Sequence, residues 1–126
     1  MRRGTVKIDP LDRLFADYVK LKAGGMCEYC GQTPKSQGYH CHHGVAGRRY
    51  LNTRWEEDNC VALCLACHNL FSDIPGINQG FFLKRIGSKR MEEIEVIART
   101  YKKMTQARRD EIKAEFQERI KLLEEK

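Results

Sequence analysis

The sequence predicts an α+β fold, with a small strand–loop–strand–helix core stapled by four cysteines, one helix before it and further helices after it. Three observations carry that expectation. Cys27-Glu28-Tyr29-Cys30 and Cys64-Leu65-Ala66-Cys67 are two CxxC knuckles. Two short stretches, Tyr39–His43 and Cys60–Leu63, read as strands on either side of a long polar loop. Apolar residues recur at helical spacing both before the first knuckle and after the second. With 126 residues and 41% hydrophobic content, the chain suits one compact domain of modest core. Its parts divide as residues 1–25, a basic tail and N-terminal helix; 26–75, the knuckled core; and 76–126, a helical arm.

Residues 1–8 read as a loose basic tail. Asp9-Pro10 starts a helix, with an acceptor at the N-cap, proline at the first helical position and Asp12 near the positive end. Leu11, Leu14, Phe15, Tyr18 and Leu21 form its apolar stripe, and Gly24-Gly25 ends it. Residues 26–31 form the first knuckle, and Gln32–Gly38 is a loop. A strand at Tyr39–His43 ends at Gly44, and Val45–Trp55 is read as loop. Glu56–Asn59 is an acidic turn leading into the second strand. The second knuckle opens a helix from Leu65 to Phe71. Ser72–Gly76 breaks the chain. A helix then starts at Asn78 or Gln79 and stops at Gly87, and Ser88 caps the next. Thr105 caps a last helix through Ile112, Phe116, Ile120 and Leu123. Its join at Met104-Thr105 is either a kink or a helix–helix turn.

The formal charge is +6, distributed as +3 over residues 1–25, −1 over 26–75 and +4 over 76–126. A nearly neutral centre between basic flanks fits a polyanionic partner held around a central site, although Lys- and Glu-rich helix faces also explain the C-terminal charge. Met1-Arg2-Arg3 leads into a polar stretch, so no secretory leader is expected. The longest apolar run is far short of a membrane span, so a soluble, cytoplasmic protein without membrane partners is expected. In that setting paired knuckles point to metal and not to disulfides. Zinc held by Cys27, Cys30, Cys64 and Cys67 would be closed and coordinatively saturated, hence structural. Cys41 and Cys60 belong to no knuckle and read as small buried residues, and His40 as a structural histidine. Trp55 reads as a packing residue.

His42-His43, Asn59 and His68 stand apart, because strand, loop, strand and helix can bring all three stretches together. His43 and Asn59 are 16 positions apart, and Asn59 and His68 are 9 apart. This His…Asn…His order within a four-cysteine frame resembles the HNH endonucleases, whose ββα-metal core is treble-clef-like. The likeness runs from Cys27 to about Phe71. It implies a metal-dependent DNA endonuclease leaving 5′-phosphate and 3′-hydroxyl ends. His43 would be the general base, since a neutral imidazole is suited to that work near pH 7. Asn59 would orient His43 through its side-chain or backbone carbonyl. His42 and His68 would hold a divalent metal that neutralises charge on the phosphate and the departing oxygen. Many members have aspartate at the His42 position. Histidine leaves the choice among Mg2+, Mn2+, Ni2+ and Zn2+ open and tilts it away from Mg2+. Arg48, Arg49 and Arg54 lie in the long loop as phosphate contacts.

A looser likeness covers about residues 11–105. Leu11-Asp12-x-Leu14-Phe15, His43-x4-Arg48-Arg49-Tyr50, Thr53-Arg54-Trp55-x3-Asn59 and Asn78-Gln79-Gly80 through Ile86-Gly87 are similar to phage NinG/Rap-type recombination endonucleases. It departs at Cys67-His68, where many such proteins have Cys-Asn. It implies cutting of branched recombination intermediates in a bacterial or phage-infected cell. The rival expectation is a zinc-stabilised DNA-binding or scaffold module that does not cut. The helices after Ser88 suit either a homodimer interface or packing on the core.

Overall fold

The computed structural model describes residues 7–35 and 38–126. Most of the expected basic tail, and the part of the loop at residues 36–37, lie outside the described residues. The elements are α1 (Pro10–Lys22), β1 (Tyr39–His43), α2 (Leu51–Arg54), a 3-10 turn (Glu57–Asn59), β2 (Cys60–Cys64), α3 (Leu65–Asp73), α4 (Pro75–Arg99) and α5 (Gln106–Glu124). Among the described residues the fold is therefore α+β, with five helices and one two-stranded antiparallel sheet.

Capping explains where the helices start. Asp9 accepts a hydrogen bond from the Leu11 backbone N–H at 2.9 Å, and Asp12 accepts one from Asp9 N–H at 2.8 Å. Together with Pro10 these close a capping box at the start of α1. Thr105 caps α5 through the Arg108 N–H at 3.1 Å. Two boundaries differ from expectation. The stretch read as loop contains α2, a single turn too short to show periodicity. The expected break at Ser72–Gly76 shrinks to Ile74, because Pro75 occupies the first position of α4, where its missing N–H costs nothing. Gly87 interrupts α4 as expected, with φ 84° and ψ 160°. The join before α5 is a non-helical stretch from Thr100 to Thr105.

The sheet is the middle layer. In the ladder Tyr39 faces Cys64, Cys41 faces Ala62 and His43 faces Cys60, while His40 faces Leu63 and His42 faces Val61. Alternation sends Cys60 and Ala62 into a cluster with Leu11, Phe15, Tyr18 and Val19 of α1, Trp55, and Ile112 and Phe116 of α5. Val61 and Leu63 go the other way, into a cluster with Cys27, Cys67, Phe71 and Phe82. The apolar stripe of α5 is thus used, at Ile112 and Phe116, in packing on the core, and Trp55 is a packing residue as expected.

Asp12 ties the first layer to the long loop. Its carboxylate accepts from Arg54 Nε at 2.8 Å, from Arg48 Nη2 at 3.1 Å and from the Trp55 indole at 3.0 Å, with a further ion-pair contact to Arg54 Nη2. Burial alone would raise its pKa, but the guanidinium and indole donors outweigh it and hold the carboxyl below 3.8. A depressed carboxylate contributes stability that is full above the unfolded value and is lost as pH falls through the native one. Asp12→Asn, which leaves the Arg54 guanidinium buried and unpaired, should therefore cost about 3 kcal/mol at pH 7. The deficit should shrink toward zero below about pH 3.8. Urea unfolding of both proteins at neutral and acid pH measures it. A deficit unchanged by acid would mean packing, not charge, is at stake.

Candidate metal centre and histidine site

The knuckles meet at one corner of the sheet. The first is a turn whose Gly31 has φ +77°, and the second straddles the β2–α3 junction. Glu28 inside the first knuckle docks it on β2. Its backbone N–H donates to Ala62 O at 2.8 Å, and its carboxylate accepts from Ala62 N–H at 2.7 Å and from Arg85 of α4 at 2.7 Å. One Sγ from each of Cys27, Cys30, Cys64 and Cys67 then lies within 4.8 Å of the other three, with Cys30 and Cys64 at 3.8 Å. Four convergent thiols fit a tetrahedral structural metal such as zinc. Burial works against ionising Cys27, but backbone N–H donors from Cys30, Cys64 and Tyr29 prevail and bring its thiol down to about 6.

The histidines at the end of β1 divide between the two faces. His42 shares its side of the sheet with His40, and its ring stands edge-on to His68 of α3 at 5.2 Å between centroids. Its Nε2 lies 2.8 Å from Asn78 Oδ1, while Asn78 Nδ2 donates to Gly44 O at 2.8 Å. Because the amide oxygen can only accept, His42 carries its proton on Nε2 and its lone pair on Nδ1. A ring N–H held by a neighbouring side chain is how ligating histidines are commonly oriented. Burial pushes the pKa of both His42 and His68 down, so both are neutral donors near pH 7. His42 and His68 are thus two neutral imidazoles in edge-on contact. Among the described residues no third His, Cys, Asp or Glu completes a mutual ligand cluster with them. His40, expected to be structural, stacks on His68 at 4.7 Å, and its buried Nε2 has no partner among the described residues.

His43 points to the α1 side. Its Nε2 lies 2.8 Å from the Arg54 carbonyl, which can only accept, so the proton is on Nε2 and Nδ1 holds the lone pair. Burial depresses its pKa below 6.5, against an opposing pull from the Arg54 carbonyl and Asp12. The expected role of Asn59 in orienting His43 is not a direct one: its side chain makes no hydrogen bond to that ring, and its backbone carbonyl accepts from Gly44 N–H at 2.9 Å. Asn59 is fully buried and clamps the loop instead. Oδ1 accepts from Val45 N–H at 3.0 Å and Ala46 N–H at 2.7 Å, and Nδ2 donates to Ala46 O at 2.8 Å and Thr53 O at 3.1 Å. By fixing Thr53 it fixes the next carbonyl, that of Arg54, and acts on His43 at one remove.

The three loop arginines part company. Arg54 is 5% exposed and committed to Asp12 and the Lys7 carbonyl, so its expected role as a phosphate contact is corrected to a structural one. Arg48 is half-buried against the same carboxylate. Arg49 is an exposed residue lying over the Tyr50 ring at 4.8 Å and donating to the Tyr50 hydroxyl at 2.8 Å.

Sequence reasoning missed Asn78 as a site residue, since it enters from α4, outside the strand–loop–strand–helix unit. Gly44 was the available signal. A Cβ there would lie 1.9 Å from Phe82 Cε2 and 2.7 Å from Asn78 Oδ1, and Phe82 is wholly buried. Gly44→Ala should therefore destabilise the fold by about 1–3 kcal/mol through overpacking. It should also perturb the His42 ring, read as a change in the imidazole resonances of His42. Wild-type stability with unmoved resonances would contradict the close approach.

No helix of the described residues is long and apolar enough to cross a membrane. No curated protein and no solved structure matches the chain. The family model described as Bacteriophage Lambda NinG protein matches residues 4–126, from before the capping box to the end of α5, and the chain belongs to that family.

Proposed function

We propose that this NinG-family chain is a metal-dependent DNA endonuclease of the HNH, ββα-metal kind. The observation that carries the reading is the hydrogen bond from His43 Nε2–H to the Arg54 carbonyl. It holds a neutral imidazole with a free Nδ1 lone pair on β1, next in the chain to His42, whose ring meets His68 of α3. A zinc-stapled binder has no use for that arrangement.

In this reading His43 Nδ1 removes a proton from the water that attacks phosphorus. The P–O bond to the 3′ oxygen breaks, leaving a 3′-hydroxyl and a 5′-phosphate. His42 and His68 would hold a divalent cation, whose contribution is to offset charge on the phosphate and the leaving oxygen. Asn78 keeps His42 in the ligating tautomer, and Asn59 keeps the Arg54 carbonyl under His43. Arg49 and the basic flanks supply phosphate contacts, so affinity falls steeply with salt. Phage family membership supports a role inside the infected host cell, and branched recombination intermediates are the proposed substrate. DNA is the proposed partner; the apolar stripe of α5 is already engaged with the core at Ile112 and Phe116.

The test is nicking of supercoiled plasmid by purified protein, first in EDTA and then with Mg2+, Mn2+, Ni2+ or Zn2+, followed by linear against four-way-junction DNA. Nicking that requires added metal supports the reading. Binding of DNA without cleavage of any substrate under any metal would leave a zinc-stabilised binding module.

A further inference from the structure

Cys41, His43 and Cys60 sit together on the α1-facing side of the sheet. His43 faces Cys60 directly across the ladder, and Cys41 lies two residues back along β1, so all three side chains share one face. A ligating atom from each lies within 4.8 Å of the other two. Both thiols are free, and neither belongs to the four-cysteine corner. The His43 tautomer leaves the third donor with an unprotonated ring nitrogen. Around them Phe15, Trp55 and Ala62 form an apolar wall. Two sulfurs and an imidazole in apolar surroundings select a soft cation and reject a hydrated hard one such as Mg2+.

We propose that Cys41, Cys60 and His43 form a second metal site, for a soft d10 cation of the Zn2+ or Cd2+ class, whose occupancy takes the His43 lone pair out of use. Binding releases the two thiol protons to solvent and forms two metal–sulfur bonds and one metal–nitrogen bond, with the fourth position left to water. Cys41 and His43 are half-buried, so the cation enters from their side, and Cys60 forms the buried floor. Where Mg2+ supports cutting, the cation that stops it is thereby of a different class. The inhibitory half of this inference rests on His43 being the general base; the metal site itself does not.

The experiment counts zinc on the full chain under reducing conditions, after equilibration with a small excess of Zn2+ and removal of loosely held ion. Wild type should retain two zinc ions per chain and Cys41→Ala one. The zinc retained at the four-cysteine corner serves as the check that the variant is folded, and Cys60→Ala provides a second variant at the floor. For each protein, Mg2+-supported nicking is then compared with and without the extra zinc. Wild type should lose at least tenfold, and Cys41→Ala should lose less than twofold. Retention of one zinc by wild type, or of two by both proteins, overturns the site; the latter would place the second ion on His42 and His68. If wild type cuts nothing, the zinc count still decides the site, and the endonuclease reading fails separately.

Discussion

Replacing His43 with alanine is expected to lower metal-dependent nicking by about 10²–10⁴-fold, the usual contribution of a positioned general base. The size of the effect follows from how the ring is held. The Arg54 carbonyl accepts from Nε2–H and selects one tautomer, and the Asn59 clamp immobilises the loop that carries this carbonyl. Alanine removes the Nδ1 lone pair that the proposed proton transfer requires. The structural cost is small by comparison, about 1 kcal/mol for one lost hydrogen bond. His43→Gln separates the two effects, since it retains an amide donor for the Arg54 carbonyl and supplies no base. Both variants should keep the zinc of the four-cysteine corner and a cooperative melt while losing activity together. Cleavage within a few-fold of wild type in either one would remove His43 from the chemistry.

What could be read in advance follows a physical division. Elements specified by neighbouring residues were legible: Asp9-Pro10 with Asp12 marks the start of α1, the knuckles bracket the core, and Thr105 starts α5. The single turn at Leu51–Arg54 carries no period and went unseen. Long-range pairing was equally invisible. Arg54 looks like a loop arginine until the fold places it 2.8 Å from Asp12, 42 residues earlier in the chain. Asn59 was correctly marked as special but given the wrong partner, because spacing shows that a side chain comes near a site and not where its four hydrogen bonds go. Asn78 had only an indirect signal within the core, the glycine at position 44 that makes room for it and Phe82. The division of His42 and His43 between opposite faces follows from strand alternation alone. The consequence, that His43 shares its face with Cys41 and Cys60, needed the register of β2.

Removing the metal at the knuckles is expected to unfold the whole protein, and not the corner alone. Cys67→Ser leaves three thiols, too few for a closed tetrahedral site, and structural zinc contributes on the order of 10 kcal/mol in small domains. That is comparable with the entire stability of an ordinary domain, about 5–15 kcal/mol. A local loss would be plausible if the two core clusters were independent, since Cys27 and Cys67 belong to one and Trp55 to the other. They are not independent, because one strand serves both. Val61 and Leu63 face the knuckle side, while Cys60 and Ala62 face α1 and α5. Glu28 further ties the first knuckle to both backbone groups of Ala62. When the knuckles open, β2 loses its hold on one face and the other layer loses its floor. In Cys67→Ser, and in wild type stripped by a strong zinc chelator, Trp55 fluorescence and far-UV helicity should therefore collapse in one step. Readded zinc should restore both in wild type only. Trp55 remaining buried in a zinc-free chain would show instead that α1, α5 and the long loop form a separate folding unit, with the knuckles an appendage to it.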